Sequence, residues 1–162
     1  MVNLALLEPG RYVADGSYGF SETGLRLPFE SSFSVEQLPL YLLIEGKARQ
    51  PGGRQAYRFR VRLDRDTNSQ SQADASVSIS GVPELRGRAS LVGPTRELLA
   101  FDPANENQLS ARVVPLDKPR IYEISGLLGL TGKGWFPFHF RVVPTEARAA
   151  LENVIALPKR TA

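Results

Sequence analysis

Residues 55–63 read QAYRFRVRL and alternate strictly between apolar and basic side chains. In an extended chain one face carries the apolar side chains, which are Tyr57, Phe59, Val61 and Leu63. The other face carries three arginines, which are Arg58, Arg60 and Arg62. Successive side chains of a strand point to opposite sides of a sheet, so a period of two predicts an antiparallel strand with one buried face.

Nine further segments show a similar alternation or a short apolar run. They are residues 11–20, 25–36, 40–46, 75–80, 85–92, 96–101, 108–114, 120–126 and 135–143. Turn-forming residues separate them, as in Pro51-Gly52-Gly53, and no helical pattern lies between them. This spacing predicts an all-β protein, namely an antiparallel β-barrel of about ten strands, with an open sandwich as the alternative. Closure into a barrel is favoured because it leaves no exposed sheet edge.

One helix is predicted, over residues 145–157 at the carboxyl end. Its apolar positions follow helical spacing and are Ala147, Ala150, Leu151, Val154 and Ile155. Thr145 is placed to cap the helix and Pro158 to end it. Neither a linker nor an internal repeat is evident, so residues 1–162 are predicted to form a single barrel domain.

The composition excludes several kinds of site. The chain has 162 residues, no cysteine, one histidine and a formal net charge of +3. It therefore has no thiol nucleophile, no disulfide and no site built from several histidines. No segment reaches the ~20 apolar residues of a transmembrane helix and the amino terminus lacks the features of a secretory leader, so we expect a cytoplasmic protein.

Catalytic motifs are missing from the sequence. Gly132-Lys133 lacks the first glycine and the Ser or Thr of a phosphate-binding Walker loop. Ser17 lacks the preceding glycine and the following helix of a nucleophile elbow. We therefore predict a non-catalytic protein that binds a small hydrophobic or amphipathic molecule inside the barrel. The predicted lining residues are Tyr57, Phe59, Phe101, Phe136, Phe138 and Phe140.

The last strand, WFPFHFRVV over residues 135–143, admits two interpretations. In the first, the phenylalanines are core and His139 and Arg141 lie at the surface, because aromatic side chains prefer burial. In the second, Trp135, His139 and Arg141 face a cavity as an aromatic wall, a metal ligand or hydrogen-bonding group, and an anion clamp.

Basic residues are concentrated in the hairpin over residues 47–65, which holds seven Lys and Arg and one acidic residue. Three interpretations of the arginine row at 58, 60 and 62 are open. The row is a solvated outer face, an interaction module for an acidic protein, lipid headgroups or nucleic acid, or an inward row that holds an anionic ligand.

Both ends of the chain resemble the calycin group of lipocalins, fatty-acid-binding proteins and nitrobindin-like domains. The resemblance rests on Leu6-Leu7-Glu8-Pro9-Gly10-Arg11-Tyr12, on Gly16-Ser17-Tyr18-Gly19-Phe20, and on Pro137-Phe138-His139-Phe140-Arg141. It implies an eight- to ten-stranded barrel around a ligand cavity. In nitrobindin-like proteins a histidine of the final strand ligates haem iron, so the resemblance implies haem as a minor alternative ligand, with His139 as its ligating residue. That role requires His139 to point inward.

Overall fold

A computed structural model describes residues 6–20, 23–66, 68, 69 and 71–148. Ten strands make up most of this part of the chain. They are β1 (Gly10–Gly19), β2 (Arg26–Gln37), β3 (Tyr41–Arg49), β4 (Tyr57–Arg65), β5 (Gln72–Ile79), β6 (Val82–Ser90), β7 (Arg96–Asp102), β8 (Asn107–Pro115), β9 (Tyr122–Leu130) and β10 (Gly134–Pro144). Each corresponds to one of the ten segments predicted from the alternation of side chains.

The sheet closes on itself in the order β1-β10-β9-β8-β7-β6-β5-β4-β3-β2. Every strand is antiparallel to its neighbours along the chain, and β1 also pairs with β10, where Ser17 lies opposite His139. No described strand is therefore left as a free edge, which is the physical advantage of an up-and-down barrel. The predicted all-β barrel is confirmed, and the open sandwich is wrong.

Element boundaries differ from the prediction at a few places. Residues 72–74, which lie before the predicted segment 75–80, form the start of β5, where Ala73 is buried. β9 continues past Gly126 to Leu130, although Gly126 and Gly129 weaken the strand pattern. A short carboxyl-terminal helix begins at residue 145 and is described as far as residue 148; the rest of the predicted helix lies outside the described residues.

The core follows the alternation of each strand. On β4 Leu63 is fully buried, whereas Arg60 and Arg62 are exposed. On β10 Val142 is fully buried, and the phenylalanines lie on the same inward face. The first interpretation of the last strand therefore describes its geometry.

Inward-facing glycines let neighbouring strands approach each other closely. A β-carbon at Gly16 would overlap the backbone carbonyl oxygen of His139 on β10, and one at Gly87 would overlap that of Leu99 on β7. Glycine is required there because any side chain would push the paired backbones apart.

Candidate functional site at the aromatic end of the barrel

One end of the barrel is covered by the chain that precedes β1, and we call it the closed end. Leu6 and Leu7 are buried there, with 4% and 2% of their surface exposed. The carbonyl oxygen of Leu6 accepts a hydrogen bond from Arg96 on β7 at 3.0 Å, and the amide of Glu8 donates to the Tyr122 hydroxyl on β9 at 3.1 Å. The segment thus crosses the barrel from wall to wall and excludes water from that end.

Tyr12 holds this covering segment from below. Its hydroxyl donates to the carbonyl oxygen of Glu8 at 2.6 Å, and its ring stacks on Phe33 with 5.4 Å between centroids. Burial raises the pKa of Tyr12 to about 12, and the nearby Arg120 guanidinium offsets part of that shift. The Tyr12 hydroxyl therefore stays protonated, and remains a hydrogen-bond donor, at every physiological pH.

The opposite end is lined by a cluster of seven aromatic side chains, and we call it the aromatic end. The members of this cluster are Tyr18, Phe20, Phe29, Tyr57, Phe136, Phe138 and Phe140. Their rings are connected edge to face or tilted: Tyr18 lies 5.0 Å from Phe29, and Phe20 lies 5.3 Å from Phe136. The cluster joins β1, β2, β4 and β10, whose members of the cluster point to the inside of the barrel. Phe20 directly follows β1 and packs on the inward rings of Tyr18 and Phe136.

None of these inward rings is fully buried. Tyr57 has 41% of its surface exposed, and the other six are half-buried. At the closed end, by contrast, Tyr12 and Tyr122 have 1% and 3% exposed. Solvent thus reaches aromatic surface that faces inward, which is the situation that a bound apolar molecule would relieve.

Polar groups surround the cluster at the same end. The Gln50 side-chain amide donates to the Tyr18 hydroxyl at 3.0 Å. The connections β5–β6, β7–β8 and β9–β10 enclose a depression of about 500 Å³ that Asn105, Asn107 and Lys133 help to line. The aromatic end therefore offers apolar surface beside polar groups.

Five of the six predicted lining residues face inward, and four of these belong to the aromatic cluster. Phe59 is the fifth, and it packs on Phe33 at 6.1 Å between centroids, toward the closed half. Phe101 is a wrong prediction: it lies on the outer face of β7 with 48% of its surface exposed. The inward positions of β7 are taken by Leu98 and Ala100, which are buried.

Three members of the cluster, Tyr18, Phe20 and Phe29, were missing from the predicted lining. Tyr18 shares the even-numbered positions of β1 with Tyr12, and Phe20 is the residue directly after the strand. Phe29 shares the odd-numbered positions of β2 with Phe33. Strand alternation assigns each of them to a face. Their meeting with Phe136 and Phe140 depends on the pairing of β1 with both β2 and β10, which no local pattern contains.

His139 lies on the outer face of β10, and its side chain is 51% exposed. Its Nε2 atom lies 3.8 Å from Oε2 of Glu123, and Oε1 of the same carboxylate accepts a 3.0 Å hydrogen bond from Arg141. The pKa of Glu123 is lowered, chiefly by the hydrogen bond from Arg141. Haem ligation inside the barrel requires His139 to point inward. That orientation is wrong, because the phenylalanines occupy the inward face of β10.

The arginine row of β4 lies on the outer face. Arg60 pairs with Glu45 at 3.1 Å, and Arg62 pairs with Asp64 at 2.9 Å. In the part of the chain that the structure describes, Arg58 has no carboxylate within 4 Å. An inward arginine row is thus wrong, whereas recognition of an acidic partner by this face stays a prediction.

A second depression, of about 790 Å³, lies on the outside of the barrel between β4 and β6. Its floor is formed by the short side chains of Ser76 and Ser78 on β5. Longer charged side chains flank this floor, and they are Arg60, Arg62, Asp64, Asp74, Glu84 and Arg86. Three arginines thus meet three carboxylates, so this groove has no net charge that selects an anion.

The described residues lack two further kinds of feature. They contain no group of three or more His, Cys, Asp or Glu side chains that could hold a metal ion. Within the same residues, no helix is both long and apolar enough to cross a membrane.

Comparison with known proteins shows a similarity of fold. No family model matches the chain, and no curated protein matches it. Among solved structures, the chain is similar to the S-type phycobiliprotein lyase CPES from Guillardia theta, with a TM-score of 0.64. The match covers 83% of this chain and 86% of that chain at 9% sequence identity. The chain thus shares its overall fold with a protein of very different sequence.

Proposed function

We propose that this chain is a calycin-type barrel that binds one small hydrophobic or amphipathic molecule at its aromatic end. The proposal rests on one observation. The inward aromatic rings at this end are partly exposed, whereas the inward side chains at the closed end are buried. Covering apolar surface is favourable by about 25 cal/mol per Å², so a ligand that contacts several rings gains several kcal/mol before the cost of its immobilisation.

The polar groups beside the rings support an amphipathic ligand. The hydroxyls of Tyr18 and Tyr57 and the amide of Gln50 lie at the edge of the cluster. Such groups orient a ligand by hydrogen bonds while its apolar part contacts the phenylalanines. We propose binding without a chemical step, because the sequence carries no recognisable catalytic motif.

The solved structure of similar fold is named a phycobiliprotein lyase. That name supports a bilin-type pigment as one ligand to test here, since such a molecule combines extended apolar surface with charged side groups. Fold likeness alone does not transfer an activity, so the pigment enters as a test ligand.

The experiment is a fluorescence titration of the purified full chain with 1-anilinonaphthalene-8-sulfonate, and an absorbance titration with biliverdin. Phe136→Ala removes one half-buried ring of the aromatic end, and we expect about tenfold weaker binding, which corresponds to about 1.4 kcal/mol. Phe101→Ala is the matched control, because it removes the same side chain from the outer face and should leave binding unchanged.

Two outcomes would overturn the proposal. One is the absence of any response to either probe by the folded protein. The other is an equal loss of affinity in Phe136→Ala and Phe101→Ala, which would place the probe outside the aromatic end.

A further inference from the structure

Two polar side chains are buried inside the barrel, and both lie at the aromatic end. Asp102 is the last residue of β7 and Asn107 is the first residue of β8, with 7% and 6% of their surface exposed. No other charged or amide side chain among the described residues is buried to this degree. Burial of a polar group costs free energy unless hydrogen bonds replace the lost water, so the partners of these two side chains indicate their role.

Strand alternation directs both side chains into the barrel. Asp102 shares the even-numbered positions of β7 with Leu98 and Ala100, which are buried. Asn107 shares the odd-numbered positions of β8 with Val113, which is also buried. Asp102 and Asn107 are direct partners in the register of the two strands. The β-carbons of such partners lie about 5 Å apart, so one ligand group can contact both side chains.

Hydrogen bonds within the chain use only part of each side chain. The backbone amide of Thr131 donates to Oδ1 of Asn107 at 3.0 Å, and the side-chain amide of Asn105 donates to Oδ2 of Asp102 at 2.7 Å. Among the described residues, Nδ2 of Asn107 has no acceptor, and Oδ1 of Asp102 has neither a donor nor a cation within 4 Å. The pair therefore presents one unused donor beside one unused acceptor.

The pair lies beside the apolar surface of the aromatic end. Asn107 lines the depression of about 500 Å³ at this end, and Asp102 lies opposite it. The next inward residues, Leu109, Leu128 and Phe136, are partners of one another across β8, β9 and β10. Two strand spacings, about 10 Å, separate β8 from β10. A small molecule whose apolar part contacts Phe136 thus reaches Asn107 with its other end.

The charges around the depression disfavour an anionic head group on the ligand. Glu106 and Lys133 line the depression from two neighbouring turns, and their opposite charges offset each other. Asp102 adds a carboxylate, and no cation of the described residues pairs with it. A carboxylate of the ligand would be repelled by this group, whereas an ammonium group would pair with it but would leave the donor of Asn107 unused.

We propose that Asp102 and Asn107 recognise the polar head of the ligand, and that this head is an uncharged amide or lactam. This inference rests on the proposed function, because the apolar part of the same ligand contacts the aromatic end. The N–H group of the head donates to Oδ1 of Asp102, and its carbonyl oxygen accepts from Nδ2 of Asn107. One planar group thereby satisfies both buried atoms, and such a site rejects a head group that lacks either half.

The test compares three probes that share one apolar body, namely 4-phenylbutanamide, 4-phenylbutanoate and 4-phenylbutylamine. Each is titrated into the full chain loaded with 1-anilinonaphthalene-8-sulfonate, and the loss of dye fluorescence gives the affinity of the probe. We expect the amide to bind about tenfold tighter than the butanoate or the amine, because it alone satisfies both buried atoms.

Asp102→Asn replaces the acceptor by a donor with almost no change of shape. The new side-chain oxygen still accepts from Asn105, and the new amide nitrogen faces the ligand beside that of Asn107. Two donors then meet the head group, so the preference should invert and the butanoate should bind tighter than the amide. The preference is a ratio measured within one variant, so a partial loss of folded protein does not alter it.

Glu106→Gln is the matched control. It removes the same charge from an exposed position of the same turn and should leave the preference for the amide in place. An equal inversion in Glu106→Gln and Asp102→Asn would overturn the proposal, because only the total charge of the depression would then act.

Three further results would overturn the proposal while the proposed function stands, because the dye still binds in each of them. They are equal affinity for the amide and the butanoate, displacement of the dye by none of the probes, and a preference for the amide that survives Asp102→Asn. A chain that binds neither the dye nor any probe contradicts the proposed function itself, and this inference with it.

Discussion

The two ends of the barrel are built from the same strands, yet they treat aromatic side chains in opposite ways. At the closed end Tyr12 and Tyr122 are buried under residues 6–9 and share hydrogen bonds with that segment. At the aromatic end seven inward rings are covered only in part. An inward side chain in this barrel therefore becomes part of the core only where another segment covers it. Where none of the described segments covers it, as at the aromatic end, the ring stays partly exposed and offers apolar surface to a ligand.

The largest expected effect comes from uncovering the closed end. Leu7→Ala removes a side chain with 2% exposure and should lower the free energy of unfolding by about 3 kcal/mol, from lost burial and the cavity left behind. Phe136→Ala, at the aromatic end, removes a larger but half-buried side chain and should cost less. Urea denaturation of both variants checks the comparison. Equal losses would mean that the aromatic end is packed as tightly as the closed end.

A smaller effect is expected from the hydroxyl of Tyr12. Tyr12→Phe keeps the ring on Phe33 but leaves the carbonyl oxygen of Glu8 without its donor, at a cost of about 1 kcal/mol near neutral pH. Denaturant midpoints at constant slope measure this difference. No change would show that this hydrogen bond contributes nothing to holding the covering segment.

The same residue predicts a pH dependence. The pKa of Tyr12 in the folded chain is raised to about 12, above the ordinary value of 10.0. Its contribution to stability is therefore complete below pH 10 and is lost as the pH rises from about 10 through 12. The original chain should lose more stability over this range than Tyr12→Phe. Parallel decline of the two proteins would contradict burial of this hydroxyl.

The fold was largely predictable because its signal is local. Alternation over residues 55–63 assigned the faces of β4 correctly, and the same logic placed all ten strands. The inward placement of Phe101 was wrong because both faces of β7 carry apolar side chains. Leu99 and Phe101 on the outer face are bulkier than the buried Ala100, so side-chain size favours the wrong face. The sequence did not predict which end of the barrel is covered, because this depends on the path of residues 6–9 across the barrel.

The smallest effect concerns the outer face, which belongs to neither end. Glu123→Gln removes the carboxylate that accepts a hydrogen bond from Arg141. Because this bond lowers the pKa of Glu123, its contribution is present above the ordinary carboxyl pKa and is lost as the pH falls through the lowered value. The variant should be slightly less stable at pH 7 and indistinguishable from the original chain in acid. A difference that persists in acid would have another origin than this charge.

Haem provides a qualitative check on the two faces of β10. Because His139 is exposed on the outer face, a haem molecule in the barrel should give the same visible spectrum with the original chain and with His139→Ala. A Soret band that depends on His139 would contradict the inward orientation of Phe136, Phe138 and Phe140.

Nuclear magnetic resonance mapping of a bound probe locates the ligand site within the barrel. Spectra of the ¹³C-labelled full chain are recorded with and without 1-anilinonaphthalene-8-sulfonate, at a concentration that saturates its fluorescence. We expect the ring signals of Phe29, Phe136 and Phe138 to shift. The methyl signals of Leu7 and the ring signals of Tyr122, at the closed end, and of Trp135, on the outer face, should stay in place. Shifts confined to the closed end or the outer face, with the aromatic end unchanged, would contradict the claim that this barrel binds its ligand among the half-buried rings.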